Sequence, residues 1–153
     1  MGEARKDPWE GRRVLVTGAT GLLGVALCRT LTDRGASVVA LVRDWAPASA
    51  LLEEPLISRV GIVRGDVCDE LEIERTLAEY ETEVVLHAAA QTQVGVANRE
   101  PMETLRVNVM GTAAVLDACR RRGGLRAIVV ASSDKAYGAA ERLPYTEETP
   151  LVG

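Results

Sequence analysis

The sequence predicts an α/β fold, a doubly wound parallel sheet with helices on both faces. Three observations predict it. The strand-like runs are apolar throughout instead of alternating, as in strands covered on both sides. Apolar runs and helix-patterned stretches succeed one another along the chain. And "TGATGLLG" (17–24) joins the first run to the first helix with Gly18, Gly21 and Gly24 spaced three apart.

"RRVLVTG" is a short β-branched run ending at Gly18, and "LLGVALCRTLTDRG" carries leucines at helical spacing until Gly35 stops it. "ASVVALVRD" is a second buried strand and "RVGIVRGDV", around Val60 to Val63, a third. Between them "WAPASALLEEPLIS" is bounded by Pro47 and Pro55 and reads as loop with one helical turn. "DELEIERTLAEYE" places Leu71, Leu77 and Ala78 on one face opposite acids, with Asp69 near its start to complement the helix dipole. "TEVVLHAAA" is the fourth strand. Pro101 suits the first turn of a long helix running to about Arg122, where three arginines and two glycines end it. "LRAIVVASS" is the fifth strand, and the chain beyond Tyr137 reads as loop. The pattern is a Rossmann-like sheet that stops after about the fifth strand. Residues 1–12 read as an N-terminal tail and 13–153 as one domain without its later strands.

Composition narrows the function classes. At 153 residues and 47% hydrophobic the chain can bury one ordinary core. A net charge of −4 with interspersed signs gives no basic stripe for a phosphate backbone, so nucleic acid is not an expected partner. Cys28, Cys68 and Cys119 have neither disulfide-framework nor zinc spacing and read as small apolar residues in a reducing compartment. No apolar run approaches the ~18 residues of a membrane span, and the first ten residues lack a signal-peptide core. A cytoplasmic location and no membrane contact are expected.

The glycine turn points to a dinucleotide. A helix N-terminus offers unpaired N–H groups and a favourable dipole to a pyrophosphate, but the backbone must come close. Gly18 allows the tight turn, Gly21 the approach and Gly24 the packing of helix on strand. The second strand ends in Arg43, which suits a 2′-phosphate, followed by Asp44, which suits a free ribose hydroxyl. Both NADP and NAD are therefore open, and Arg43 standing first tilts the expectation to NADP. Asp66 in "RGDV" is placed to meet the adenine, or to cap the helix that follows.

"TGATGLLG", "GDV", "LHAAAQ", "NVMGT" and "SSDKAYG" stand in this order, and the chain from about Arg13 to Gly153 resembles the extended short-chain dehydrogenase/reductases that act on nucleotide sugars. Within them "SSDKAYG" is most similar to the sugar-nucleotide 4,6-dehydratases. The resemblance implies a cofactor-binding set of Gly18, Thr20, Gly21, Leu22, Leu23, Gly24, Arg43, Asp44, Asp66, Val67, Ala88, Ala89, Ala90 and Asn108. It implies that Asn108 supports the active-site framework, and that His87, the one histidine, is a strand-end residue and not a catalyst. It also implies that Ser133 hydrogen-bonds the sugar hydroxyl being oxidised and that Asp134, in a closed apolar site, donates a proton to the leaving hydroxyl. Lys135 stands at the second position, where other dehydratases have Glu. The implied reaction is oxidation at C4, loss of water across C5 and C6, and return of hydride to C6. A 4-epimerase or reductase of the same superfamily is the alternative, and a non-catalytic dinucleotide-binding module is another.

The family's Tyr-x-x-x-Lys does not occur in these residues: four positions after Tyr137 stands Glu141, and four after Tyr145 stands Thr149. The resemblance therefore implies that residues 1–153 alone do not turn over substrate. Without a sixth strand the fifth becomes an apolar edge, from which self-association into a homo-oligomer is expected.

Overall fold

The computed structural model describes residues 7–139 and 143–153. Five strands form one parallel sheet: β1 (Arg13–Thr17), β2 (Ser37–Val42), β3 (Val60–Arg64), β4 (Val84–His87) and β5 (Ala127–Val130), in spatial order β3-β2-β1-β4-β5. β1 is central, with Val16 in register with Ala40 on one side and Leu86 on the other. Every strand runs the same way, so all five C-terminal ends share one rim.

The all-apolar strands follow from the two cores they separate. Val14 and Val16 pack on one face with Cys28 and Leu31 of α1 (Leu22–Asp33), joined by Leu51 and Leu56 of the segment after β2. Leu15 turns to the other face, against Ile73 and Leu77 of α2 (Glu70–Glu79) and Val115 and Ala118 of α5 (Thr112–Arg122). Alternate residues of one strand thus serve different cores, and no position is left for a polar face. At the N-terminal end of the strands, Glu83 accepts from Arg12 (3.0 Å), the Arg13 amide (3.2 Å) and Arg126 (3.2 Å), which ties the starts of β1, β4 and β5 together.

Four local features differ from the sequence reading. The buried face of α2 is Ile73, Thr76 and Leu77, whereas Leu71 is 77% exposed and Ala78 is exposed. The burial of Thr76 hid this face: its hydroxyl donates to the Glu72 carbonyl (2.8 Å), which makes a polar residue fit for the core. Leu71→Ala is therefore expected to leave stability within about 0.5 kcal/mol of wild type in chemical denaturation. A loss above about 1 kcal/mol would contradict this face.

The segment between β2 and β3 holds two single 3₁₀ turns, Ala50–Leu52 and Ile57–Arg59, where one helical turn was expected. The expected long helix from Pro101 is α4 (Pro101–Leu105), then a π-helical turn (Arg106–Gly111), then α5, and a short α3 (Val94–Arg99) precedes it. Residues 7–12 of the expected tail form a docked turn: the Gly11 amide donates to the Gly35 carbonyl (2.8 Å) and Trp9 packs on the α1 core. The rest of that tail, residues 1–6, lies outside the described residues, as does Glu141.

β5 is an exposed edge, with Val129 55% accessible, and Leu105, Val109 and Met110 lie exposed on α4 and the π turn. Among the described residues no helix is long and apolar enough to cross a membrane. Cys28 and Cys119 are buried and free, and burial pushes both thiols up to about 11, so neither is a thiolate at neutral pH.

Candidate dinucleotide site

The strand order reverses between β1 and β4, and a cleft of about 290 Å³ opens on the C-terminal rim beside that point. Its floor is the glycine turn. Gly18 has φ +67°, and a Cβ there would lie 2.5 Å from the Ala88 carbonyl oxygen. A Cβ on the buried Gly24 would fall on the Gly18 carbonyl oxygen. Backbone therefore meets backbone at both positions, as close approach requires.

Gly21 is the N-cap of α1 and makes no side-chain cap, and no acid occupies the first turn. The Gly21 amide turns back to the Gly18 carbonyl (3.0 Å), so the first-turn amides after it are the ones offered to an external acceptor, and nothing negative competes for the dipole. Leu22 and Leu23 are exposed and add no cap. Ser49 fixes the turn from outside by donating to the Thr20 carbonyl (2.8 Å). A side-chain-free cradle at an uncapped helix start fits a pyrophosphate.

Of the residues expected to bind a cofactor, the cleft is lined by Gly18, Thr20, Arg43, Asp44, Asp66, Val67, Ala89 and Ala90. Gly21, Gly24 and Ala88 shape its floor from behind. Leu41, Ala46, Gly65, Gln91 and Val107 also line it and were not read from the sequence. Gln91, directly after Ala90, could have been found from the "AAAQ" run, whereas Ala46 and Val107 carry no signal of their own.

Arg43 and Asp44 pair with each other at 2.6 Å on an open rim. Burial pushes the Asp66 carboxyl up, but the Cys68 amide (2.9 Å) and the Arg106 guanidinium (3.1 Å) outweigh it and hold its pKa below the usual carboxylate range. Asp66 thus faces the cleft ionised, while the helix cap that it was alternatively expected to supply comes from Asp69, whose carboxylate accepts from the Glu72 amide (3.1 Å). Asn108 does not line the cleft. Its carboxamide accepts from the Gln91 amide (2.7 Å) and donates to the Gln91 carbonyl (3.1 Å), so it clasps the backbone that does.

His87 is buried behind the cleft, and burial lowers its pKa. The unfolded chain takes up that proton first, so between about pH 6.5 and the lower folded value the unfolded state binds more protons. Denaturation midpoints should fall as pH drops below about 6.5, before the carboxylates titrate. A flat profile from pH 7 to 5 would contradict the buried neutral ring.

Ser133, Asp134 and Lys135 follow β5 on the same rim. The Ser133 hydroxyl caps the turn Asp134–Tyr137 by accepting from the Lys135 amide (3.2 Å) and donates to Asp134 (3.3 Å). Asp134 and Lys135 pair at 3.4 Å, with side chains 60% and 87% exposed. The closed apolar surroundings expected for Asp134 do not exist among the described residues. Tyr145 stacks on Tyr137 (centroids 4.7 Å apart) and donates to the Gly138 carbonyl (3.2 Å), so both rings are engaged in folding 143–153 back on this turn.

Residues 14–152 match the NAD dependent epimerase/dehydratase family. The CDP-glucose 4,6-dehydratase of Salmonella typhimurium is 36% identical over 153 residues, covering 97% of this chain and 42% of that enzyme. The UDP-glucose 4-epimerase of Klebsiella pneumoniae is 32% identical over 140 residues, covering 88% of this chain and 99% of that sequence. Among solved structures, the UDP-glucose 4-epimerase from Bifidobacterium longum in complex with NAD+ and UDP superposes with a TM-score of 0.79 at 30% identity, covering 92% of this chain and 43% of that one. The chain thus spans about two fifths of the length of the Salmonella and Bifidobacterium proteins. With its parallel sheet, its glycine turn and this agreement over nearly all its length, the chain belongs to the NAD dependent epimerase/dehydratase family.

Proposed function

We propose that residues 13–153 form the dinucleotide-binding unit of a nucleotide-sugar 4,6-dehydratase. The observation that carries the reading is the order Ser133-Asp134-Lys135 at the end of β5, on the rim that also carries the glycine turn. An acid directly after the serine supplies a proton where a hydroxyl must leave as water, which epimerisation at C4 does not need. Ser133 orients the C4 hydroxyl, Asp134 protonates the departing C6 hydroxyl, and Lys135 pairs with Asp134. When bound, the cofactor supplies reversible hydride uptake. Gly18 and Gly21 would hold its pyrophosphate at the start of α1, whose close packing Gly24 allows, Asp66 would hold its adenine side, and Ala88 to Ala90 its far ribose.

A 4-epimerase is the second reading, favoured by the solvent exposure of Asp134 and its pairing with Lys135. Product analysis separates the two. A protein that carries this sequence together with the family's Tyr-x-x-x-Lys is incubated with NAD+ or NADP+ and with CDP-, dTDP- or UDP-glucose, and the sugar is followed by NMR. A 4-keto-6-deoxy product supports the dehydratase, a galacto epimer supports the epimerase, and unchanged sugar with all donors overturns both in favour of a binding module.

Cofactor choice rests on Arg43. Its position at the end of β2 supports NADP+, yet a 2′-phosphate must displace the Asp44 carboxylate from it. Asp44→Asn is expected to raise affinity for NADP+ relative to NAD+ by about tenfold, the equivalent of roughly 1.4 kcal/mol. An unchanged ratio in parallel titrations would remove Arg43 from the selection.

A further inference from the structure

The single histidine sits beneath the cleft in an ordered chain of hydrogen bonds. The residue is 2% exposed, with Nδ1 2.7 Å from the Thr17 hydroxyl and Nε2 3.0 Å from the Thr112 hydroxyl. Thr112 has one hydroxyl proton and gives it to the Asn108 carbonyl (2.8 Å). Its oxygen can then only accept, which requires Nε2–H. At the other end the Ala89 amide donates to Thr17 (3.3 Å), which frees the Thr17 proton for Nδ1.

A neutral ring protonated on Nε2 satisfies every group in this series. The opposite tautomer would strand the Thr17 proton and would turn the Thr112 hydroxyl away from the Asn108 carbonyl to serve Nε2. The direction is therefore the same throughout: Ala89 amide to Thr17, to His87, to Thr112, to the Asn108 carbonyl. The Asn108 carboxamide also clasps Gln91. The 88–91 loop is thus held at two points, and both ties end on one residue of the π turn.

We propose that His87 is a positioning residue: held as the neutral Nε2–H tautomer, it transmits a one-way hydrogen-bond relay that fixes the 88–91 loop to the π turn. Because the Gly18 backbone already lies against Ala88, the clearance of the cleft floor depends on where this loop is held. The relay is a property of the folded chain and does not depend on which sugar or cofactor binds.

The test uses the one imidazole of the 153-residue chain. Long-range ¹⁵N–¹H correlation at pH 7.5 should show a protonated, pyrrole-like Nε2 and an unprotonated, pyridine-like Nδ1. Thr112→Val should disturb that tautomer and speed hydrogen exchange of the Ala89 and Gln91 amides about tenfold, while the Ala131 amide, bonded to the His87 carbonyl (2.9 Å), stays unchanged. Thr112→Ser, which keeps the hydroxyl, should restore both. A ring protonated on Nδ1, an imidazolium, or Ala89 and Gln91 exchange that ignores Thr112→Val would overturn the relay. Should Thr112→Val fail to fold, the wild-type ring spectrum and Thr112→Ser decide alone.

Discussion

Replacing Gly18 by Ala is expected to abolish dinucleotide binding and to lower the unfolding free energy by about 2–5 kcal/mol. Two costs combine: a side chain at φ +67° is disfavoured by roughly 1–2 kcal/mol, and its Cβ would collide with backbone atoms of Ala88 and Ala89, an overpacking that costs roughly 1–3 kcal/mol. Neither neighbour can rotate away, since both contacts are main chain. Gly11→Ala is the matching control. Gly11 has φ +72° but open space around the missing Cβ, so it should lose only the conformational cost and keep full affinity. Denaturation and calorimetric titration of both variants separate strain from collision. Equal losses in the two would show that the approach of Gly18 to Ala88 carries no weight.

Asp134→Asn, in a protein that turns over a nucleotide hexose, is expected to slow water loss by about 10²–10⁴-fold and to leave oxidation at C4 intact. The amide keeps the size and the hydrogen-bond reach of the acid but cannot give up a proton at neutral pH. Reduced cofactor should then accumulate on mixing with substrate, while the 4-keto-6-deoxy sugar does not appear. In an epimerase the same change would leave the rate near wild type, because no hydroxyl departs. Loss of both steps together would assign Asp134 to holding Ser133, with which it already shares a hydrogen bond, and not to proton donation.

The sheet was legible because β1, β2 and β4 are buried on both faces, which leaves an unmistakable apolar run at each, and β5 is as apolar although its residues are exposed. The cradle was legible for a related reason: only glycine fits where backbone meets backbone, so Gly18 and Gly24 announce the contact by their identity. Side chains that act through an unexpected polar neighbour were not. Thr76 is buried in α2 by a bond to its own helix, and hydropathy placed Leu71 on the core face instead. The π turn at Asn108 carries no signal in hydropathy or helix-end residues, and the relay through Thr17, His87 and Thr112 joins positions 70 and 25 residues apart. The exposed pairing of Asp134 with Lys135 depends on what covers the end of β5, which neighbouring residues in sequence do not state.

Calorimetric titration of the 153-residue chain with NAD+ and with NADP+ in one buffer tests the central claim, that these residues by themselves build a dinucleotide site. The account predicts saturable one-to-one binding of at least one of the two, abolished by Gly18→Ala and preserved in Gly11→Ala. Absence of binding by both dinucleotides, in a chain shown to be folded by its amide spectrum, would contradict it.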